Sequence, residues 1–210
     1  MAKKDTKADR AEKPQEPPPA PAAPRPFRYP VPELSTLPED IRARILAVQE
    51  KAGFVPNVFL LLARRPEEFR AFVAYHDTLM DKREGLTLAE REMIVVAVSA
   101  AHSCQYCVVA HGAILRVRAK DPAIADLVAT NYRKANLPPR QRVMLDYALK
   151  VATQSHLVGP EDHEAVAAAG FTEDEAWDIA AIAAFFSMSN RLANATDLRP
   201  NPEFHMLGRR

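Results

Sequence analysis

The chain has 210 residues, 48% of them hydrophobic and 26% charged, with a formal net charge of +1. This composition describes a soluble globular chain of one or at most two domains. Its near-neutral balance argues against nucleic acid as a partner.

From the amino terminus, MAKKDTKADRAEK is almost wholly polar, and EKPQEPPPAPAAPRPFRYPVP holds apolar residues without any period. Such a stretch cannot bury a core, so residues 1–32 are expected to be a disordered Pro-rich tail and residues 33–210 the folded domain. The tail carries seven Lys or Arg against four Asp or Glu, a net +3 that leaves −2 on the remaining 178 residues. A PPPAPAAPRP segment could serve as a polyproline ligand, although most such tails are spacers. An export signal needs an apolar run behind Lys3 and Lys4, whereas the chain continues DTKADRAEKPQ. A cytoplasmic location is therefore expected. Met93 to Leu115 lacks Asp, Glu, Lys and Arg for 23 residues. The polar His102, Ser103, Gln105, Tyr106 and His111 inside it predict two buried helices around a turn rather than a membrane span.

Helix follows helix beyond the tail, with no clean apolar–polar alternation, and the fold class is all-α. EDIRARILAVQEKAG begins just after Pro38 and stops at Gly53, in keeping with the preference for Pro at a helix start and Gly past its end. NVFLLLARR, PEEFRAFVAYHDTLMDKREG, TLAEREMIVVAVSAA and CQYCVVAHGAILRVRA come next, followed by DPAIADLVATNY, PPRQRVMLDYALKVATQS, PEDHEAVAAAG and TEDEAWDIAAIAAFFSMSNRLANA. A shift of 85 positions lays Gly85, Thr87, Glu90 and Ile94 on Gly170, Thr172, Glu175 and Ile179, which suggests a duplicated helical unit. Both copies open with a capping box, Thr followed three residues later by Glu. Ser189 and Leu192 stand where Cys104 and Cys107 would fall, so any thiol chemistry belongs to the first copy. Apolar helices around Ile94 and Phe185 predict surfaces that meet another subunit, hence a homo-oligomer.

AHSCQYCVVAHGA, residues 101–113, holds both cysteines of the chain. On a helix starting near Ser103, Cys104, Cys107 and His111 share one face, because they are spaced by three and four residues. A helix N-terminus acidifies a thiol and favours Cys104, whereas a histidine one turn away can activate Cys107. Position alone leaves the attacking sulfur open. Glu92, on the preceding helix, shares a face with Leu88, Val95, Val96 and Ser99. A carboxylate in such a surface needs a partner and could move protons to a nearby His or thiol. A zinc site from Cys104, Cys107, His111 and His102 is the competing reading. His76, His156 and His163 read as surface or packing residues, and Phe185, Phe186, Met188 and Trp177 as core or subunit interface.

Glu92, Cys104, Cys107 and His111 form an E-x11-C-x2-C-x3-H pattern. It resembles that of the alkylhydroperoxidase D (AhpD)-like proteins within the carboxymuconolactone decarboxylase superfamily. FVPNVFLLLARRPEEF, SCQYCVVAHGA and FFSMSNRLAN are most similar to its peroxidase-related subgroup, over about residues 33 to 205. The resemblance implies an AhpD-like helical bundle that forms homo-oligomers and reduces hydroperoxides through the cysteine pair; no cofactor or metal is expected. It also implies that Cys107 attacks the peroxide, that Cys104 resolves the sulfenic acid as a disulfide, and that Glu92 and His111 relay protons. A thiol or lipoyl-type protein would supply electrons. The family's name-giving peroxidase has a histidine where this chain has Tyr106, a poor base near neutral pH, and His102 is the nearest residue that could substitute. Another thiol–disulfide oxidoreductase of the same superfamily is the alternative activity.

Overall fold

A computed structural model describes residues 25–209, and these form nine α-helices with no strand. The helices are α1 (Glu39–Ala52), α2 (Asn57–Leu62), α3 (Pro66–Met80), α4 (Leu88–Ala101), α5 (Gln105–Ala119), α6 (Ile124–Asn131), α7 (Pro139–Gln154), α8 (Pro160–Ala168) and α9 (Glu173–Ala195). Each coincides with a helix expected from the sequence. None of the described helices is long and apolar enough to cross a membrane.

Helix α4 is the axis of the bundle. Residues 90 to 99 are buried around its whole circumference, against α5, α6, α7 and α9. Such a helix must satisfy its polar side chains internally. Arg91, fully buried, donates to the carbonyls of Leu79 and Glu84 and to Asp178 Oδ2 at 3.0 Å. The main core joins α4, α7 and α9 through Ile94, Val96, Val98, Met144, Leu145, Ile179, Ile182 and Phe186. Smaller cores lie between α1, α2 and α3, and around α5 and the C-terminal segment.

The two capping boxes sit side by side. Glu90 and Glu175, the box glutamates of α4 and α9, are both held by Arg140 of α7, at 2.8 and 3.0 Å. Gly85 approaches α9 so closely that a Cβ there would stand 3.0 Å from Glu175 Cγ, and its φ of +71° suits glycine besides.

Two expectations are corrected. Ile94 and Phe185 do not face outward, because neighbouring helices of the same chain cover them. The exposed apolar side chains instead include Trp177, 72% accessible, with Tyr75, Val117, Leu157, Met188 and Met206. The folded region also begins before residue 33. Phe27 is buried with Cys104, Tyr106 and Phe204, and the backbone pairs on both sides of it, Arg28 N–H to the Thr196 carbonyl and Arg199 N–H to the Pro26 carbonyl. A single aromatic anchor escaped a reading based on average composition. Residues 1–24 of the expected tail lie outside the described residues.

Candidate active site

The turn between α4 and α5 places the first thiol. Ser103 takes a left-handed conformation, φ 51°, and its N–H bonds the Ala100 carbonyl while the Cys104 N–H bonds that of Ser99. This is a Schellman ending with serine in the usual glycine position. Cys104 is at once the residue that closes α4 and the N-cap of α5, its Sγ accepting from the Cys107 N–H at 3.4 Å. The Cys104 thiol is completely buried, and Cys107 is 3% accessible.

Cys107 and His111, one turn apart on α5, face the same cavity of about 160 Å³. This is smaller than the roughly 300–1,000 Å³ of ordinary ligand pockets and suits a small reactant. Its walls are mostly apolar, from Val58, Phe59, Leu62, Phe72, Ile114 and Phe186, with Tyr106 and Phe204 also in contact. Cys104 is not part of the wall.

Behind His111 stands the carboxylate foreseen from the sequence. Glu92, 2% accessible, holds His111 Nδ1 through Oε2 at 2.8 Å and Arg118 through Oε1 at 3.0 Å. A carboxylate paired with arginine has only acceptors to offer, so the imidazole hydrogen sits on Nδ1 and Nε2 is left free. The arginine was not foreseen, since nothing in the sequence joins positions 92 and 118.

The sulfurs are held unequally. The Cys107 thiol hydrogen-bonds Cys104 and, with the amides of the first turn of α5, makes Cys104 more acidic than an ordinary thiol despite its burial. Cys107 is pushed strongly upward by the same bond to Cys104 and by burial, and a hydrogen bond with Ser189 of α9 works the other way. Ser189 was singled out only as the counterpart of Cys104 in the second copy. It reaches the site because α9 crosses α5 there.

The auxiliary candidates separate. The Tyr106 hydroxyl accepts from the Val58 N–H at 3.3 Å, and burial raises its pKa well above that of a free tyrosine. It anchors α2 and stays protonated. His102 caps α4 away from the cavity, with Nδ1 3.2 Å from Asn190 Nδ2 and its carbonyl accepting from Asn194. The zinc set is therefore not assembled: His102 turns to α9, His111 is committed to Glu92, and no cluster of three potential ligands exists among the described residues. His76 of α3, read as a packing residue, instead lines the cavity opposite α5, with its ring 6.4 Å from that of His111.

Residues 66–131, which carry α3 to α6 and hence both thiols, match the carboxymuconolactone decarboxylase family. The chain is similar to an AhpD-core, uncharacterized peroxidase-related protein from Ralstonia eutropha JMP134. That match has 65% identity and a TM-score of 0.88, over 90% of this chain and 99% of that one. It is also similar to an uncharacterized peroxidase-related protein from Silicibacter sp. TM1040, at 40% identity and TM-score 0.83, over 88% and 96% of the two chains. The debrominase Bmp8 shares the fold alone, at 21% identity and TM-score 0.66, over 80% and 90%. A comparison with curated proteins gives no match. The buried Glu92–His111 pair beside a Cys-x-x-Cys helix start is thus set in a chain that belongs to the AhpD-like, peroxidase-related branch of the carboxymuconolactone decarboxylase family.

Proposed function

We propose that the protein is a thiol-dependent peroxidase reducing hydroperoxides through Cys107 and Cys104. The observation that carries this reading is the division of labour around the cavity. Cys107 and His111 face it together, Glu92 and Arg118 brace His111 from behind, and Cys104 waits behind the wall. Access therefore favours Cys107 as attacker, even though Cys104 is the more acidic thiol at rest.

In the first step His111 Nε2 takes the Cys107 proton. The sulfur attacks the outer peroxide oxygen, the S–O bond forms as O–O breaks, and the departing alkoxide receives the proton back from His111. Cys107 is left as sulfenic acid and an alcohol departs. The Cys104 sulfur then attacks Cys107, hydroxide leaves as water with the proton Cys104 gave up, and a disulfide remains. A dithiol donor, a small thiol or a lipoyl-type protein, returns two electrons and two protons. The setting is expected to be the cytoplasm, and a second copy of the chain is expected to cover the exposed Trp177 and Met188. Light scattering giving only the 23.3 kDa monomer would remove that last expectation.

The test is thiol titration and mass analysis before and after one equivalent of tert-butyl hydroperoxide. Loss of both thiols with a decrease of about two mass units supports the peroxidase. Cys104→Ser should accumulate a dimedone-trappable sulfenic acid on Cys107, and Cys107→Ser should not react. Intact thiols with a bound equivalent of zinc would overturn the reading.

A further inference from the structure

The cavity holds a second arrangement of the same kind as Arg118–Glu92–His111. On its opposite wall His76 Nδ1 stands 3.1 Å from Asp77 Oδ1, and Asp77 Oδ2 accepts from Arg44 at 2.7 Å. Arg44, His76 and Asp77 all line the cavity that contains Cys107. In both arrangements an arginine fixes a carboxylate, and the carboxylate holds an imidazole by Nδ1. Each ring thereby carries its hydrogen on Nδ1 and keeps Nε2 as a free acceptor. Phe186 contacts both imidazoles, at 4.8 Å from His111 and 6.2 Å from His76 between centroids, which fixes their separation. They differ in depth: Glu92 is buried, whereas Asp77 is 34% accessible and so lies nearer solvent.

We propose that Arg44, Asp77 and His76 form a substrate-positioning relay, in which His76 Nε2 accepts a hydrogen bond from the O–H of the hydroperoxide and aims its outer oxygen at Cys107. The inference rests on the peroxidase reading. The two rings are 6.4 Å apart and do not bond each other. That separation is between ring centroids, and two bonded oxygens fit between the rings with hydrogen bonds of roughly 2.8 Å that meet the O–O bond at an angle rather than in line. The inner oxygen then faces His111, which returns the thiol proton to it, and the outer oxygen keeps its own hydrogen, held by His76. When S–O forms and O–O breaks, that hydrogen stays on the new sulfenic acid. No proton is consumed beyond the one taken from Cys107. An acceptor is required here, and His76 suits the role because burial and the neighbouring His111 favour its neutral form.

Asp77 sets which nitrogen is the acceptor. In Asp77→Asn the amide oxygen would stay with Arg44, turning the NH₂ group toward His76 Nδ1. The ring hydrogen would then move to Nε2, and the acceptor would become a donor with hardly any change of shape.

The experiment follows one sulfur, Cys107, in full-length C104S protein with two reagents. Tert-butyl hydroperoxide has an O–H to be held, and iodoacetamide alkylates the thiolate without one. His76→Leu should slow sulfenic acid formation on the order of a hundredfold, and Asp77→Asn by more than about tenfold. Both should leave alkylation within about threefold of the parent. Equal slowing with both reagents would show that His76 merely supports the cavity, and an unchanged peroxide rate would show that it plays no part; either overturns the proposal alone. If the parent alkylates but never reacts with the hydroperoxide, the peroxidase reading fails and the relay falls with it.

Discussion

Helices α4 and α9 begin and end alike yet serve different purposes. Each follows a left-handed glycine, opens with a Thr–Glu capping box, and closes with a Schellman pattern around a non-glycine residue, Ser103 after α4 and Asp197 after α9. The next residue carries the difference. After α4 it is Cys104, which immediately caps α5 and enters the thiol pair; after α9 it is Leu198, whose amide bonds Ala193 and whose side chain joins the apolar cluster beneath that pair. The same local signals thus frame one helix start that carries the thiols and one that carries apolar support, and the second helix still brings Ser189 to Cys107.

The comparison breaks hardest at the thiols. Cys107→Ser should abolish the stopped-flow reaction with peroxide, whereas Ser189→Ala, on the α9 side of the same contact, should slow it only about tenfold or less, the share of one neutral hydrogen bond. Between these, His111→Gln should cost on the order of a hundredfold as a positioned proton acceptor is lost. Glu92→Gln should cost less, because it orients His111 without touching the substrate. A Ser189 variant as dead as the Cys107 variant would show that α9 is part of the chemistry.

The next point of attack is the tie between the two helix starts. Arg140 satisfies Glu90 and Glu175 together, and its guanidinium lies 3.7 Å from the centroid of Phe171. Arg140→Met leaves two largely buried carboxylates facing each other without a cation, and breaking such a group costs about 3 kcal/mol. At this chain size that corresponds to a fall of roughly 6–12 °C in melting temperature. The added Glu175→Gln change should recover part of the loss by removing one of the two charges. Failure of that rescue would mean that the arginine acts through packing on Phe171.

How much of this was legible in the sequence follows from range. The nine helices were readable because capping boxes, terminal glycines and helical periods are written within a few residues. Cys104, Cys107 and His111 were readable as one face of a helix, whereas Glu92 joined them through the resemblance to a family pattern rather than through spacing. Arg140 across two helix starts and His76 opposite His111 depend on how separate helices cross, which single-sequence periodicity does not encode; Arg118 lies in the hairpin of Glu92 but reads as an ordinary basic residue of a helix's last turn. Phe27 was missed for another reason: one buried ring in a proline-rich stretch is invisible to average composition.

A smaller effect separates the two walls of the cavity by pH. His76 is held below the ordinary histidine range by burial first and by His111 second, against the pull of Asp77 and Glu92. The unfolded chain therefore binds a proton more readily than the folded one, and by linkage stability is full above the unfolded value of about 6.5 and falls as the pH drops below it. His76→Leu should lose less melting temperature than the parent between pH 7 and pH 5. His102, lowered by burial and by Arg191, has the same sign and stays in both proteins. Equal losses in parent and variant would show that His76 does not titrate across this window.

The smallest effect is the sharpest test of what distinguishes α4 from α9. Ser103 and Asp197 hold φ of 51° and 52°, where a side chain costs roughly 1–2 kcal/mol and glycine costs little, though glycine loses about 0.5–1 kcal/mol through its freer unfolded chain. Ser103→Gly and Asp197→Gly should therefore each move stability by no more than about 1.5 kcal/mol, with the same sign, because the two turns share one hydrogen-bond pattern. Their chemical consequences should differ. Ser103 is the hinge directly before Cys104, and a freer hinge alters how readily that sulfur leaves its N-cap to meet the sulfenic acid on Cys107. Disulfide closure, followed as loss of the trappable sulfenic acid, should change by a few-fold in Ser103→Gly while the initial peroxide reaction does not. Asp197→Gly should change neither rate. If both substitutions altered closure equally, the N-cap position of Cys104 would not be what sets resolution, and the two turns would differ in sequence without differing in function.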